Sequence, residues 1–422
     1  MKFIHAADIH LDSPLRGLER YEGAPAEEIR EATRRALENL VELAIEEEVD
    51  FVLIAGDIYD GNWEDYNTGL FFVLQMSKLR DAEIPVVMIS GNHDAANKMT
   101  KSLRLPDNVE LLPHKKPATA KNKKLQKLGV AVHGRSFGKA AEFDNFAVDY
   151  PEKQTGLYNI GLLHTSLADP QGHEPYAPCS IGDLKQKGYD YWALGHVHHR
   201  GVQCSDPLIV FPGNIQGRHI RETGAKGCYI VSVDDRGQSS LDFYSLDVFR
   251  WERCELDISE IKSDDEILEL FSAELLKLTE EHNAMPMGVR VILHGKTESH
   301  ESLIADSIAW TNQLRATAVV ESGGKVWVEK VKFETSPVQP VQNISIQDGP
   351  IGELLAYIDE LRDNKTELLE IAEELSDLRR KLPSEITHGE EAILLNDHEY
   401  LQGLLDKVQP LLIRRLSEGL SA

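Results

Sequence analysis

The sequence predicts an α/β fold whose sheet is covered by helices on both faces, followed by a small α+β module and a helical tail. Three observations carry that expectation. Across residues 1–250, short and almost purely apolar runs alternate with amphipathic segments, the pattern of strands buried on both faces. Near residue 250 the texture changes to helical segments set among a few strands. After a proline-bearing stretch, apolar residues recur at alternating steps of four and three.

Phe3–Ala7 reads as a short strand. Over Ala26–Glu48 the residues Ile29, Ala32, Ala36, Leu40, Leu43 and Ala44 recur close to the 3.6 period, which predicts a helix. Phe51–Ala55 is a buried strand, Tyr66–Arg80 a helix and Pro85–Ile89 a buried strand. Leu157–Leu163, Tyr191–Leu194, Leu208–Phe211 and Cys228–Val233 continue the strand series. Residues 251–335 form the α+β module, with helices at Asp264–Thr279 and Ser302–Leu314 and strands at Val289–Leu293, Thr317–Glu321 and Val326–Phe333. Residues 336–350 hold Pro337, Pro340 and Pro350 and read as a linker. In the tail, 351–422, the slots Leu354, Ile358, Leu361, Lys365, Leu368, Ala372, Leu375, Arg379 and Leu382 form a coiled-coil-like seam, which Pro383 stops. A second helix is expected over Glu391–Leu416, interrupted at Pro410.

Composition narrows the setting. The chain has 422 residues, 41% hydrophobic and 27% charged, enough for two or three folded domains. No apolar run is long enough to span a bilayer, and Met1–Asp8 carries no signal-peptide pattern. The four cysteines, Cys179, Cys204, Cys228 and Cys254, lack C-x-x-C spacing, which points to a reducing, cytoplasmic setting without a thiolate metal site. A formal net charge of −25 excludes indiscriminate coating of nucleic acid and docking on an anionic membrane. That charge is uneven. Residues 98–139 hold 11 Lys and Arg against only Asp107 and Glu110.

Five short motifs occur in order, four of them directly after an expected strand: Asp8-x-His10, Gly56-Asp57-x-x-Asp60, Gly91-Asn92-His93-Asp94, His164-x-Ser166 and Gly195-His196-x-His198. In open α/β sheets ligands sit beyond the carboxyl ends of strands, so the motifs should converge on one edge. Carboxylate, imidazole and amide donors without cysteine suit borderline-to-hard divalent metals. Seven candidate ligands are too many for one tetrahedral ion and suit two ions about 3.5–4 Å apart, the clamp used for displacement at phosphorus. Singly, D-x-H is mostly chance and G-D-x-x-D could be a polar turn. Together and in this order, they are hard to read as structural residues alone.

The set resembles the calcineurin-like metallophosphoesterases. His10-Leu-Asp-Ser-Pro-Leu15 and Pro212-Gly-Asn-Ile-Gln-Gly-Arg218 narrow the resemblance to the SbcD-type DNA repair exonucleases, in particular their YhaO-like branch. The resemblance implies an α/β sandwich, central mixed sheets flanked by helices, with the 251–335 module as a capping domain. It implies one metal held by Asp8, His10, Asp57 and His198 and a second held by Asp57, Asn92, His164 and His196, with Asp57 bridging. A water activated at that centre would attack phosphorus. His93 would face the scissile phosphate and stabilise the transition state or protonate the leaving oxygen, oriented by Asp60. Some relatives carry His where this sequence has Asp60.

The leading functional expectation is therefore a Mn²⁺-dependent DNA exonuclease acting in repair. Lys98, Lys121, Lys123, Lys124 and Arg218 are the candidate DNA contacts, since Lys and Arg supply most non-specific affinity for phosphate. The resemblance also implies an SbcC-like coiled-coil ATPase as partner, docked on the C-terminal helices, and a homodimer. Two alternatives stay open: a phosphoesterase of small molecules or cyclic nucleotides, and a non-catalytic adaptor of an ATPase. His5 reads as a core histidine, His199 as solvated, and the alternative for the two helices of the tail is that they pack on each other or on the nuclease domain.

Overall fold

The computed structural model describes residues 1–13, 25–60, 66–95, 103–167, 176–261, 263–338, 350–376, 393–405, 408–409 and 412. In chain order the elements are β1 (Lys2–Ala6), α1 (Ala26–Glu46), β2 (Phe51–Ala55), α2 (Tyr66–Asp81), β3 (Val86–Ile89), α3 (Asn92–Ala95), β4 (Val109–Leu111), β5 (Ala118–Thr119), α4 (Lys123–Lys127), β6 (Val130–Gly134), β7 (Tyr158–His164), α5 (Ile181–Gln186), β8 (Tyr191–Gly195), β9 (Gly201–Ser205), β10 (Leu208–Phe211), β11 (Gly227–Val233) and β12 (Ser239–Ser245). Then come β13 (Arg250–Asp257), α6 (Asp264–Glu281), β14 (Met287–Thr297), α7 (His300–Ala305), α8 (Ser307–Ser322), β15 (Val326–Pro337), α9 (Pro350–Asp363) and α10 (Lys365–Glu373).

Two compact units result. The first is Met1–Arg253 with Thr279–Val289 and Lys325–Glu329; the second is Cys254–Leu278 with Arg290–Gly324 and Lys330–Ala422. The first unit is built on two six-stranded sheets, ordered β12-β11-β1-β2-β3-β4 and β5-β6-β7-β8-β10-β9. Both are mixed. β1 to β4 run parallel, β11 is antiparallel to β1 and β12 to β11, and β6, β7, β8 and β10 run parallel between antiparallel edge strands β5 and β9.

The alternation of side chains along each strand makes four layers. Phe3, Phe51, Leu53, Val87 and Ile89 point from the first sheet into one core with Val132, Ile160, Leu162, Tyr191, Ala193 and Val210 of the second. The opposite faces of β1 to β3, through Ile4, Val52, Ile54 and Met88, pack on Ala36, Leu40 and Val41 of α1 and Phe72, Met76 and Leu79 of α2. The outer face of the second sheet, through Leu163, Trp192, Leu194 and Ile209, packs on Leu184 of α5 and Phe146. Purely apolar strands such as Phe51–Ala55 follow from this arrangement, because both faces of the strand are covered. His5 joins the sheets. Its ring atoms lie 2.9 Å from Tyr191 Oη and 3.1 Å from the Leu194 carbonyl, and burial pushes its pKa down to about 3, so it remains neutral.

The expected strands omit β4, β5, β6, β9, β12 and β13. β4 and β5 are only 3 and 2 residues long, and the edge strands β9 and β12 expose much of their length. β6 is fully buried, and its His133 breaks the apolar run. That histidine lies 2.9 Å from Thr119 Oγ1 and 3.1 Å from Asn159 Oδ1.

The strand expected at Thr317–Glu321 is instead the last turn and a half of α8. Its Val319 and Val320 are exposed, while Trp310, Leu314 and Ala318, spaced by four, are buried. Gly323 at φ 61° then caps the helix. Here the helical face outweighed the β-branched run. Similarly, the expected continuous seam from Leu354 breaks at Asn364, whose side chain accepts from the Glu367 amide and starts α10. Leu368 and Ala372 of α10 form a small core with Leu395 and Leu401, so these tail segments pack on each other. The remaining slots, Arg379 and Leu382, and the expected stops at Pro383 and Pro410 lie outside the described residues.

The approach of the two sheets is tightest where β8 ends. A Cβ on Gly195 would lie 2.0 Å from the Ala55 carbonyl oxygen of β2. Gly195→Ala should therefore force the sheets apart, lowering stability by about 1–3 kcal/mol. Thermal unfolding of the metal-free variant checks this; an unchanged melting temperature would contradict the close approach.

Candidate metal centre

All five motifs emerge at one edge of the sandwich, as parallel strands require. β1 delivers Asp8 and His10, β2 delivers Asp57 and Asp60, and β3 delivers Asn92 and His93. From the facing sheet, β7 ends on His164 and β8 leads to His196 and His198. The turns that aim these side chains inward are backbone-specialised. Asp8, His10, Asp57 and His196 all have positive φ, at 50°, 47°, 51° and 102°. Gly56 at φ 92° lies directly beneath, where a Cβ would sit 2.6 Å from His164 Nδ1.

Backbone groups fix the carboxylates and imidazoles. The His196 amide donates to Asp8, with both carboxylate oxygens at 3.1 Å, and the His93 amide donates to Asp57 Oδ1 at 3.0 Å. His164 Nδ1 lies 2.9 Å from the Ala55 carbonyl, so it carries the proton and leaves Nε2 facing the site. Asp94 accepts from the amides of Ile58, Tyr59 and Gly91 and thereby clamps the loop after β2 to the loop after β3.

Two groups of ligand atoms result. Asp8, His10 and His198 form one, and Asp57, His164 and His196 the other, with ligand atoms within 4.8 Å of one another in each. Asn92 Oδ1 joins the second at 2.9 Å from His164 Nε2. Asp57 Oδ2 stands between them, 3.8 Å from His10 Nε2 and 3.4 Å from His164 Nε2. The structure thus brings all seven sequence-derived ligand candidates to one place.

The donor set fits two divalent cations. His10 Nε2 and His198 Nε2 lie 3.0 Å apart, and at most one proton can sit between them, so their lone pairs face a shared point. Burial pushes Asp8 up to about 7, with His164 opposing and Asp57 adding to the rise. Burial would also raise Asp57, but His164, His10 and His93 together outweigh it and hold that carboxyl well below its usual range. His164 itself is raised to about 9, the charges of Asp57 and Asp8 overcoming burial. Two carboxylates and several imidazoles turned inward in a dry edge repel or compete for protons unless cations replace them.

Beside this centre sits the His93–Asp60 pair. His93 Nδ1 is 2.9 Å from Asp60 Oδ1, and Asp60 Oδ2 accepts from Ser13 Oγ and, at 3.2 Å, from Arg218 Nη1. Burial would lower the His93 pKa; the hydrogen bond to Asp60 and the charges of Asp57 and Asp60 raise it instead. His10, Asp60 and His93 also come within ligand distance of one another. Arg218 already supplies positive charge to Asp60 there, so His93 and Asp60 need no third cation beside them.

The DNA-contact candidates are scattered. Lys98 lies outside the described residues. Lys123 and Lys124 lie on α4, which precedes β6, and Lys124 Nζ donates to the Glu83 carbonyl just before β3. Since β6 and β3 run toward the motifs, these lysines sit at the opposite ends of the strands. Lys121, whose amide donates to Glu110 on β4, leads into the same helix. They therefore lie at the strand ends opposite the motifs. Nearer the motifs is the stretch Arg135–Phe137, whose Arg135 Nε donates to the His114 carbonyl at 3.1 Å. Ser136 accepts from the Ser90 amide, and Phe137, which follows it, stands edge-on to His164 at 5.4 Å. Arg218 is held by Asp60 and Glu222, with only 15% of its side chain exposed. Glu222 went unnoticed in the sequence; its one signal is its place four residues after Arg218, in the polar turn after β10.

The fold and this edge define a metal-dependent hydrolase of phosphoesters, and comparisons with known proteins agree. Residues 1–200 match the sequence model of the calcineurin-like phosphoesterases, and residues 251–336 match that of the middle domain of the metallophosphoesterase YhaO. The chain is 34% identical over 296 residues to the uncharacterized metallophosphoesterase YhaO of Bacillus subtilis (strain 168), covering 70% of this chain and 72% of that protein. Solved structures of TT1561 from Thermus thermophilus and of a dimetal phosphatase from Danio rerio are matched at 14% and 12% identity, with TM-scores of 0.34 and 0.35. Each covers 58% of this chain, and 98% and 99% of the respective structure. The chain belongs to the calcineurin-like metallophosphoesterase family, in its YhaO branch.

If Asp60 sustains the raised pKa of His93, Asp60→Asn should lower it. His93 then loses its proton at lower pH. Imidazole NMR titration of the metal-free protein reads this directly; an unmoved His93 titration would contradict the pairing.

Proposed function

We propose that this metallophosphoesterase hydrolyses phosphodiester bonds of DNA, as a Mn²⁺-dependent exonuclease working in repair. The observation that carries the chemistry is the pair of ligand groups sharing Asp57, with His93–Asp60 beside them. Asp8, His10, Asp57 and His198 would hold one ion, and Asp57, Asn92, His164 and His196 the other. When bound, the two ions supply Lewis acidity that neutralises phosphate oxygens and eases deprotonation of the attacking water.

The chain's own residues supply the rest. Asp57, shared by the two ligand groups, would place negative charge between the two cations. His93, protonated, donates to the leaving oxygen, and Asp60 holds its ring and its proton. The loops clamped by Asp94 keep Asp57 and His93 in one frame.

For DNA as the substrate, the support is the resemblance to SbcD-type exonucleases and the basic residues of the 114–139 segment, in which Arg135 leads into Phe137 beside His164. The mix of oxygen and imidazole donors suits Mn²⁺, Fe²⁺ or Zn²⁺, and the resemblance to SbcD-type exonucleases favours Mn²⁺ among them. The tail supports docking of an SbcC-like coiled-coil ATPase, since Tyr357, Ile371, Leu375 and Leu394 remain exposed around its small core. Deleting 351–422 should abolish such docking and leave hydrolysis intact. Four unpaired cysteines fit a cytoplasmic setting, and no helix among the described residues is long and apolar enough to cross a membrane.

Two experiments test the reading. With Mn²⁺, end-labelled duplex DNA should be degraded faster than a cyclic nucleotide at equal concentration; the reverse preference would favour the small-molecule phosphoesterase. Lys115→Glu with Lys116→Glu should weaken DNA cleavage and flatten its salt dependence. Reversing Lys121, Lys123 and Lys124 together should change neither. Separately, His93→Ala should retain both metals and lose about 10²–10⁴-fold in rate on a dinucleotide, whose alkoxide leaving group needs a proton. Its loss on bis(p-nitrophenyl) phosphate should be much smaller, and equal losses on both would remove His93 from the acid role.

A further inference from the structure

Glu222 lies in the turn after β10, with a side chain 6% exposed, and no step above uses it. Four donors converge on it. Oε1 accepts from His198 Nδ1 at 2.7 Å and from Arg218 Nη2 at 3.1 Å; Oε2 accepts from the Arg218 amide at 2.7 Å and Asn214 Nδ2 at 2.9 Å. The other terminal nitrogen of Arg218 donates to Asp60 at 3.2 Å. One guanidinium therefore joins the carboxylate behind a metal ligand to the carboxylate behind His93.

The chemistry of the contact assigns the tautomer of His198. Arg218 Nη2 lies 3.2 Å from His198 Nδ1, but guanidinium is only a donor, and the Glu222 oxygen is nearer. Nδ1 therefore keeps its proton and gives it to Glu222, so the lone pair of Nε2 faces His10 and Asp8. A carboxylate that binds the far nitrogen of an imidazole in this way fixes ring orientation and strengthens it as a ligand.

We propose that Glu222 is a positioning residue for His198 and that Arg218 is a strut tying this pair to Asp60–His93, so that one metal ligand and the proton donor keep a fixed relation. Arg218 thereby acts within the site, not as a contact for DNA. The inference rests on the two-metal reading above and is tested separately from it.

The test uses the full-length protein, with Mn²⁺ binding measured by equilibrium dialysis and elemental analysis. Wild type should bind two ions. Glu222→Gln should weaken one of the two sites about 10–100-fold and leave the other unchanged. Glu222→Asp, which keeps the charge, should recover part of that loss and decides the matter if Glu222→Gln does not fold. At saturating Mn²⁺, Glu222→Gln should regain most of its turnover on a dinucleotide, whereas Arg218→Lys should stay slow because Asp60 has lost its partner. Wild-type affinity at both sites in folded Glu222 variants, or equal weakening of both, overturns the positioning role. Wild-type turnover in Arg218→Lys overturns the strut. Failure of the wild-type chain to bind any ion would overturn the metal centre itself, and this inference with it.

Discussion

The centre depends on the contact between the ends of two sheets. His164 closes β7 and Ala55 closes β2, and the imidazole Nδ1 stands 2.9 Å from that carbonyl. This single hydrogen bond crosses between sheets, sets the tautomer of His164 and turns Nε2 toward Asn92 and Asp57. It forms only because Gly195 and Gly56 present no side chains where the strand ends meet. Both ligand groups then draw on both sheets: Asp8 and His10 meet His198, while Asp57 meets His164 and His196. A site assembled this way is sensitive to packing throughout the sandwich, because the inner core of Phe3, Phe51, Ile160 and Tyr191 sets the sheet separation.

Much of this was legible in the sequence for a plain reason. Strands covered on both faces are apolar runs, and polar residues directly after such runs stand at a sheet edge. Asp57, Asn92, His164 and His196 could be assigned to one edge on those grounds, whereas the pairing of His93 with Asp60 came with the family resemblance. The illegible parts have physical causes too. A β-branched stretch, Thr317–Glu321, joined a helix because its apolar partners lie four residues apart. A basic segment that is continuous in sequence was split by the fold, since its chain passes from one end of the strands to the other between Lys116 and Arg135. Glu222 has no motif, because its role arises from a turn that brings it back onto His198.

The acidic balance of the chain now has a local meaning. A net charge of −25 opposes broad adhesion to nucleic acid, yet the site edge needs negative charge to hold cations. Asp8, Asp57 and Asp60 supply it within the dry edge, and Arg218 prevents Asp60 and Glu222 from being left without a cation. Under the proposed function, attraction for a polyanion would come from the loaded centre and from the basic residues around Arg135. DNA would accordingly be held over a narrow track.

The most direct measurement of the central claim is anomalous diffraction from crystals of this chain soaked in Mn²⁺. The account requires two peaks on either side of the Asp57 carboxylate, one among Asp8, His10 and His198 and the other among Asn92, His164 and His196. A single peak, or ions bound away from Asp57, would contradict it.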